Sequence, residues 1–551
     1  MNGIIKTFKI LIISLLISEC YECNSGRQLT DSDGSNGLYV QSVNARVVPI
    51  FVNRSDNNIL DVTVSYNEQG KEKRLKKIIL YFSANSNTID LSKISVYCGS
   101  ASPDNVVLFG EANDPAGKMI VEGDYHFKGG ANLIRINISL KPEADLLHKL
   151  VLDDFKMILE DDSVLPKPMI PYPEFRFATV LRAAGQDNCN TYRIPGIITT
   201  NNGTLIAVYD NRYNSNKDLQ EDIDIGMSRS IDGGQTWEPM RVIIDMGEYG
   251  GRSEQLNGAG DPCVLYDHFS GTIWVAALWM SGSSPDKMVW WASQPGMTPE
   301  VTGQIVVVKS IDDGLTWSEP YSITNQVKDP AWQLLFQGPG RGITTDKGIL
   351  VFPAQYKADI GTKAIDGGQF TCHSTIIYST DSGKTWHIGA GAKSNTTESQ
   401  VVELPDGSLM LNMRDDRNRA DKSATNGRAV AVTHDMGKSW ETHPSSNSAL
   451  PEPNCMASLI ATDVKVGDIQ KRVLFFSNPN NKSERKDMTI KASLDLGLTW
   501  PAEYQINLCQ NTGFGYSCLT MVDKNILGIL YEGARELYFQ KIPVEDILNT
   551  K

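Results

Sequence analysis

Two sets of residues in this chain have types and spacings that could do chemistry. In the first, an aspartate sits between hydroxyls in the pattern Ser/Thr-x-Asp-x-Gly-x-Thr/Ser-Trp. It occurs five times, at Ser230–Trp237, Ser310–Trp317, Ser379–Trp386, Thr433–Trp440 and Ser493–Trp500. A carboxylate flanked by hydroxyls could move protons, but each fixed position also has a structural reason. Aspartate in a tight turn accepts backbone N–H groups. Glycine supplies the positive φ of the turn. The hydroxyl closes the turn on itself, and tryptophan fills the space between neighbouring sheets. The repeat therefore reads as architecture. The second set lies outside the repeats and gathers arginines, carboxylates and tyrosines. It comprises Tyr192-Arg193-Ile194-Pro195; Tyr209-Asp210-Asn211-Arg212 with Lys217-Asp218-Leu219-Gln220; Gly260-Asp261-Pro262; Thr397-Glu398-Ser399-Gln400 with Asn412-Met413-Arg414; Ser477-Asn478-Pro479 with Arg485; and Gly515-Tyr516-Ser517 with Gly528–Glu532. Metal chemistry has no comparable signal. The seven histidines form no HExxH and no paired spacing, Cys20-x-x-Cys23 has no second half, and no metal or cofactor is expected.

The elements that position these residues are all-β. The segment Ile305–Lys309 ahead of one repeat, and Ala429–Val432 ahead of another, are strand-like, and repeated small antiparallel sheets suggest the blades of a propeller. Upstream, residues 24–165 alternate apolar and polar side chains in short runs such as Ala45–Val52, Leu60–Ser65, Lys77–Phe82 and Leu133–Leu140. Turn clusters at Ser83–Thr88 and Gly129–Asn132 separate some of them, which predicts an N-terminal β-sandwich. Residues 166–174 hold Pro166, Pro168, Pro171 and Pro173 and read as a linker, leaving 175–551 for the propeller. Residues 1–23 read as a signal peptide: Lys6 and Lys9 precede an apolar run, Ile10–Ile17, too short to span a bilayer. The product would be secreted, periplasmic or on the cell surface. Cys20 or Cys23 could carry a lipid anchor, although Glu19 stands where a small residue is usual. The seven other cysteines, Cys509 and Cys518 among them, fit buried thiols better than a disulfide framework. A formal net charge of −13 argues against nucleic acid and anionic membranes as partners, and means that an anion site must be a local cluster of cations.

The five repeats resemble the Asp-box of the sialidase superfamily, whose catalytic domain is a six-bladed β-propeller. The second set of residues follows the order sialidases use, over essentially all of Phe175–Lys551. Tyr192–Pro195 resembles the family's (F/Y)RIP motif. The sandwich is similar, in a general way, to the N-terminal domain of several bacterial sialidases.

The resemblance implies an exo-α-sialidase that hydrolyses terminal α-linked sialic acid from glycans, glycoproteins or gangliosides. It assigns Arg193, Arg414 and Arg485 to the substrate carboxylate, with Arg472, Lys482 and Lys486 as nearby competitors for the third place. Planar, permanently charged arginine suits bidentate grip of a carboxylate better than lysine. Arg212 falls to the ring substituents and Asp261 to the N-acyl side. Tyr516 is the nucleophile, Glu398 its proton acceptor, and Asp218 the general acid and then base; Glu403 competes with Glu398. Sialidases with a tyrosine nucleophile are a recognised exception among retaining glycosidases. Two alternatives stand beside hydrolysis: a non-catalytic sialoglycan-binding propeller, which predicts loss of at least one of Asp218, Glu398 or Tyr516, and a trans-sialidase. The run 281–303, with Trp290 and Trp291, reads as a rim loop that either contacts aglycone sugars or packs on itself.

Overall fold

The computed structural model describes residues 37–67, 72–100, 105–115, 119–218, 220–281 and 287–548. The leader expected over residues 1–23, with Cys20 and Cys23, lies outside them. Two bodies, both almost entirely β, make up the described chain.

The first is a two-sheet sandwich. One sheet orders Leu38–Asn44, Asn57–Tyr66, Gly130–Leu140, Leu91–Ser100 and Val106–Asn113; the other contains Lys149–Leu159, Arg74–Phe82 and Met119–His126. The alternation seen in the sequence faces the core as expected: Ile134, Ile136 and Ile138 are fully buried. Between them Arg135 faces outward and makes a two-pronged ion pair with Asp61 across the strands, both bonds 2.9 Å. The predicted strand Ala45–Val52 is shorter than expected, with only Ile50–Phe51 in a ladder. Pro49 has no N–H to donate. Val47 instead exchanges hydrogen bonds with Gln510 of the second body, so this segment belongs to the junction between the two. Gly129–Asn132 is only partly a turn, because the strand already begins at Gly130.

The second body is a ring of six four-stranded blades. In blades one to five the box sits between the third and fourth strands, for example between Ile223–Ser230 and Arg241–Ile244 in blade one. Each box has the same internal bonding. In the first, Ser230 Oγ donates to Asp232 (2.8 Å) and accepts the Gly234 N–H (2.9 Å). Asp232 also accepts the N–H and hydroxyl of Thr236, at 2.9 and 2.6 Å. Gly234 has φ 85°, and an added Cβ would stand 2.2 Å from the Phe539 ring of blade six, so the turn requires glycine twice over. Trp237 meets the same ring edge-on, 5.2 Å between centroids.

Blade six consists of Ser517–Asp523, Ile526–Glu532 and Leu537–Pro543, and takes its fourth strand from the other end of the chain, Glu174–Arg182. Its outer strand therefore does not follow its third strand in sequence, and there is no connection on which a sixth box could form. The same strand pairs through Glu174, Phe175 and Arg176 with the sandwich strand Lys149–Leu159, so it closes the ring and fixes the sandwich to it. Residues 165–173, the proline-rich stretch, carry no regular structure. All seven described cysteines are buried and unpaired, Cys509 and Cys518 included.

Candidate active site

A propeller brings one end of every innermost strand to the axis. Here three of those strands are kinked at that end. Ladder register shifts between Arg193 and Gly196 in blade one, between Gly260 and Cys263 in blade two, and between Thr396 and Ser399 in blade four. Such bulges redirect side chains out of the pleat. Two of them hold a residue at positive φ immediately before proline: Ile194 at 57° and Asp261 at 56°. For a β-branched residue this costs about 1–3 kcal/mol, a strain typical of functional sites. The cost at Ile194 is offset by a directed bond, because its N–H points at the Glu532 carboxylate, 2.9 Å away.

Around the axis the second residue set converges. Tyr516, only 5 % exposed, donates its hydroxyl hydrogen to Glu398 Oε1. Arg414 Nη1 bridges this pair, 2.7 Å from Glu398 Oε2 and 3.1 Å from the Tyr516 oxygen, while its Nε binds Asn454. The Arg193 guanidinium lies 5.1 Å from the centre of the Tyr516 ring and that of Arg485 5.6 Å. Three guanidinium groups from blades one, four and five thus surround one phenol of blade six. Among the described residues Arg485 donates to main-chain oxygens, Phe514 at 2.9 Å and Asn454 at 3.2 Å. On the open side Asp218 Oδ1 accepts Nη1 of both Arg193 and Arg212, each at 2.6 Å.

The comparisons with known proteins agree with one another. Residues 203–529 match the family described as a BNR repeat-like domain. The chain is 40 % identical over 531 residues to a sialidase of Bacteroides fragilis, covering 91 % of this chain and 94 % of that one. The chain belongs to the sialidases. This sialidase is also 28 % identical over 384 residues to a sialidase of Clostridium perfringens, covering 66 % of this chain and 91 % of the relative. Among solved structures, the Hadza microbial sialidase Hz136 superposes with a TM-score of 0.83 at 38 % identity, over 92 % of this chain and 99 % of that one. The protein is accordingly a glycoside hydrolase with an Asp-box propeller.

The charges of the site set its proton inventory. Burial works to raise the Glu398 carboxyl, but the adjoining Arg414 and the Tyr516 hydroxyl bond outweigh it and hold the group below its ordinary range, so Glu398 is ionised. Tyr516 is pushed well above the usual phenol value by burial and by the Glu398 charge, against the pull of the three arginines. Desolvation also opposes ionisation of Asp218, yet Arg193 and Arg212 prevail and hold its carboxyl well below the carboxylate range. Asp261 moves the other way, raised by burial and by the charges of Asp210 and Glu398.

The structure separates the competitors left open by the sequence. Glu403 stands at the opposite face of the ring, where it accepts the Asp346 N–H at 2.7 Å. Arg472 pairs with Asp463 (2.8 Å), Lys486 pairs with Glu484, and Lys482 bonds the Ser423 carbonyl, so of the four cations only Arg485 reaches the phenol. Arg212 is 1 % exposed and binds Asp210, the carbonyls of Asn216 and Lys217, and Asp218, which makes it the support of the Asp218 loop in this structure. Asp261 is buried with its N–H on Asp210 and its carbonyl on Gln337. Trp290 packs inward and donates to Asp366 at 3.0 Å, while Trp291 is 45 % exposed; Lys357 Nζ stands over both rings, 4.0 and 4.7 Å from their centres.

Sequence reasoning assigned no role to Glu532. Its carboxylate is fully buried and accepts four donors: Arg193 Nε and Nη2 at 3.0 and 3.4 Å, the Ile194 N–H, and the Tyr516 N–H at 2.8 Å. One side chain therefore locks the first arginine and the phenol-bearing strand into a common frame. Its signal in the sequence was its place at the end of the segment Gly528–Glu532 that accompanies Gly515-Tyr516-Ser517; in the structure it ends the strand Ile526–Glu532, level with Tyr516.

Proposed function

We propose that this sialidase hydrolyses terminal α-linked sialic acid from glycoconjugates with retention of configuration, using Tyr516 as nucleophile. The observation that carries the reading is the Tyr516–Glu398 hydrogen bond enclosed by three guanidinium groups. Sialic acid bears a carboxylate on its anomeric carbon. An Asp or Glu nucleophile about 4 Å from it would face repulsion of roughly 4 kcal/mol at an effective dielectric of 20. A neutral phenol avoids that repulsion, and the arginines grip the substrate carboxylate.

In the first half-reaction Glu398 takes the phenolic proton as the Tyr516 oxygen bonds to the anomeric carbon. Asp218 gives its proton to the glycosidic oxygen as that bond breaks, and the aglycone leaves as an alcohol. In the second, Asp218 takes a proton from water and the water oxygen attacks the anomeric carbon. The bond to Tyr516 breaks and Glu398 returns the proton to the phenol. Asp218 must be protonated to begin, yet it rests on Arg193. The arriving substrate carboxylate competes for Arg193, weakens its hold on Asp218 and raises the affinity of Asp218 for a proton. Asp261, its carboxyl raised by burial and by the charges of Asp210 and Glu398, lies toward the N-acyl side of the sugar, and Arg212 keeps the acid–base loop in place.

Sialylated glycoproteins and gangliosides are the proposed substrates, and the leader-like residues support action outside the cytoplasm. Proton NMR of sialyllactose turnover tests the reaction: the α-anomer of free sialic acid should accumulate before mutarotation. First release of the β-anomer would sink the retaining mechanism. Transfer to added lactose at the expense of free sialic acid would favour the trans-sialidase reading.

A further inference from the structure

At the face of the propeller opposite the active site, the far ends of all six innermost strands enclose a depression of about 330 Å³. Thr199, Tyr266, Thr344, Val402, Ile460 and Met521 contribute one residue from each blade in turn. Arg341 rises into it from blade three. Its Nη1 crosses the axis to the Leu519 carbonyl of blade six, the blade diametrically opposite, at 3.2 Å. That is its one side-chain hydrogen bond among the described residues. The Nε–H is buried without a partner. Among the described residues no carboxylate pairs with Arg341, and the ionisable groups that bear on it are the thiols Cys518 and Cys263. Desolvation lowers its pKa.

Two carboxylates share the depression, Glu403, which accepts the Asp346 N–H, and Asp346 beside it, and neither pairs with Arg341; the other rim arginine, Arg472, is paired with Asp463. Two of the rim hydroxyls are committed, Thr199 to the Met521 carbonyl and Thr344 to the Tyr266 carbonyl. A guanidinium that has lost most of its water without gaining a counter-charge is expensive, and buried charges are normally paired. An unsatisfied buried donor in a native fold calls for a partner. We propose that Arg341 is the anchor of an anion-binding site at this far mouth. It takes a small oxyanion, a carboxylate or a phosphate, because a planar fork of N–H donors matches two oxygens of such a group. The volume admits an acid of several heavy atoms. This site is independent of the catalytic pocket, and its failure would leave the sialidase reading intact.

The test compares the wild-type protein with Arg341→Met. Both keep the arginines of the active site, so any anion response of that site is common to the two. Arg341→Met should retain wild-type kcat/KM on a fluorogenic sialoside. Thermal midpoints are followed against sodium phosphate and against sodium acetate at constant ionic strength. The wild-type midpoint should rise saturably over millimolar anion, and Arg341→Met should lack that component. A response to phosphate alone identifies phosphate as the ligand type; a response to acetate as well identifies carboxylates. Diffraction from wild-type crystals soaked in selenate should show an anomalous peak at hydrogen-bond distance from Arg341. If Arg341→Met loses turnover, Arg341→Gln, which keeps a donor for Leu519, replaces it. Identical titrations of variant and wild type would overturn the proposal. So would a selenate peak without a solution response, which means an adventitious ion only, or no peak at Arg341.

Discussion

Glu398→Gln separates proton transfer from shape. The glutamine keeps an oxygen that accepts the Tyr516 hydroxyl and leaves the volume of the site unchanged, but it cannot take the phenolic proton. Glu398 is 11 % exposed at its side chain, so water cannot readily replace it. Its protein neighbours within bonding reach, Tyr516 and Arg414, are donors to it and not bases. Tyr516 resists ionisation because burial pushes its pKa well above the ordinary phenol value. Loss of a positioned base typically costs 10²–10⁴-fold, about 3–5 kcal/mol on the barrier. The fall should appear in kcat. The Michaelis constant should hold or drop, because Arg414, freed from a carboxylate, binds the substrate carboxylate at least as well. The assay is steady-state hydrolysis of sialyllactose, with circular dichroism to confirm the fold. A kcat within threefold of wild type would refute the assignment of Glu398 as proton acceptor. A large rise in KM at constant kcat would place it in binding instead.

Other expectations follow from the same geometry. Arg193→Lys should raise KM for sialosides strongly, because one ammonium cannot replace a fork that also binds Glu532; an unchanged KM would remove Arg193 from the carboxylate grip. Asp218 is held ionised in the free protein by Arg193 and Arg212 and must be protonated to act. An essential acid loses activity as pH rises through its pKa, so the alkaline limb of kcat, which reports the substrate complex, should lie at higher pH than that of kcat/KM. Coincident limbs for sialyllactose would contradict displacement of Asp218 by substrate. The box carboxylates of Asp312, Asp381 and Asp435 are lowered to about 2, mainly by hydrogen bonds from the hydroxyl and backbone of the residue four positions on. Their stabilisation is complete above the unfolded value near 4 and is lost as pH falls toward 2. The thermal midpoint should drop across that window, and less steeply in Asp381→Asn; equal slopes would count against the boxes as its source.

The repeats were legible because a tight turn restricts its residue types: glycine where φ is positive and a neighbouring blade presses close, and aspartate where several donors converge. The candidate site residues were chosen through resemblance, which supplies their order but not their contacts. Closure of the ring was not legible. Nothing in Glu174–Arg182 marks a partner more than 350 residues away in Leu537–Pro543, since a strand carries no record of which edge it will pair with. The role of Glu532 was hidden for a similar reason, because its donors come from Arg193 and Ile194 on another blade. The bulges at Ile194 and Asp261 had a faint signal, a proline following the residue that turns, but proline alone does not specify positive φ. Ala45–Pro49 alternated like a strand and became a junction because Val47 found its partner in the propeller.

The central claim is that the Tyr516 oxygen becomes bonded to the sugar. A sialosyl fluoride carrying a second fluorine next to the anomeric carbon slows both steps and lets the glycosyl-enzyme accumulate. Peptide mapping by mass spectrometry of the trapped protein should find one added 3-fluorosialosyl group, on the peptide containing Tyr516. A label on Glu398, Asp218 or any other residue would contradict the account, as would reagent turnover with no trapped protein.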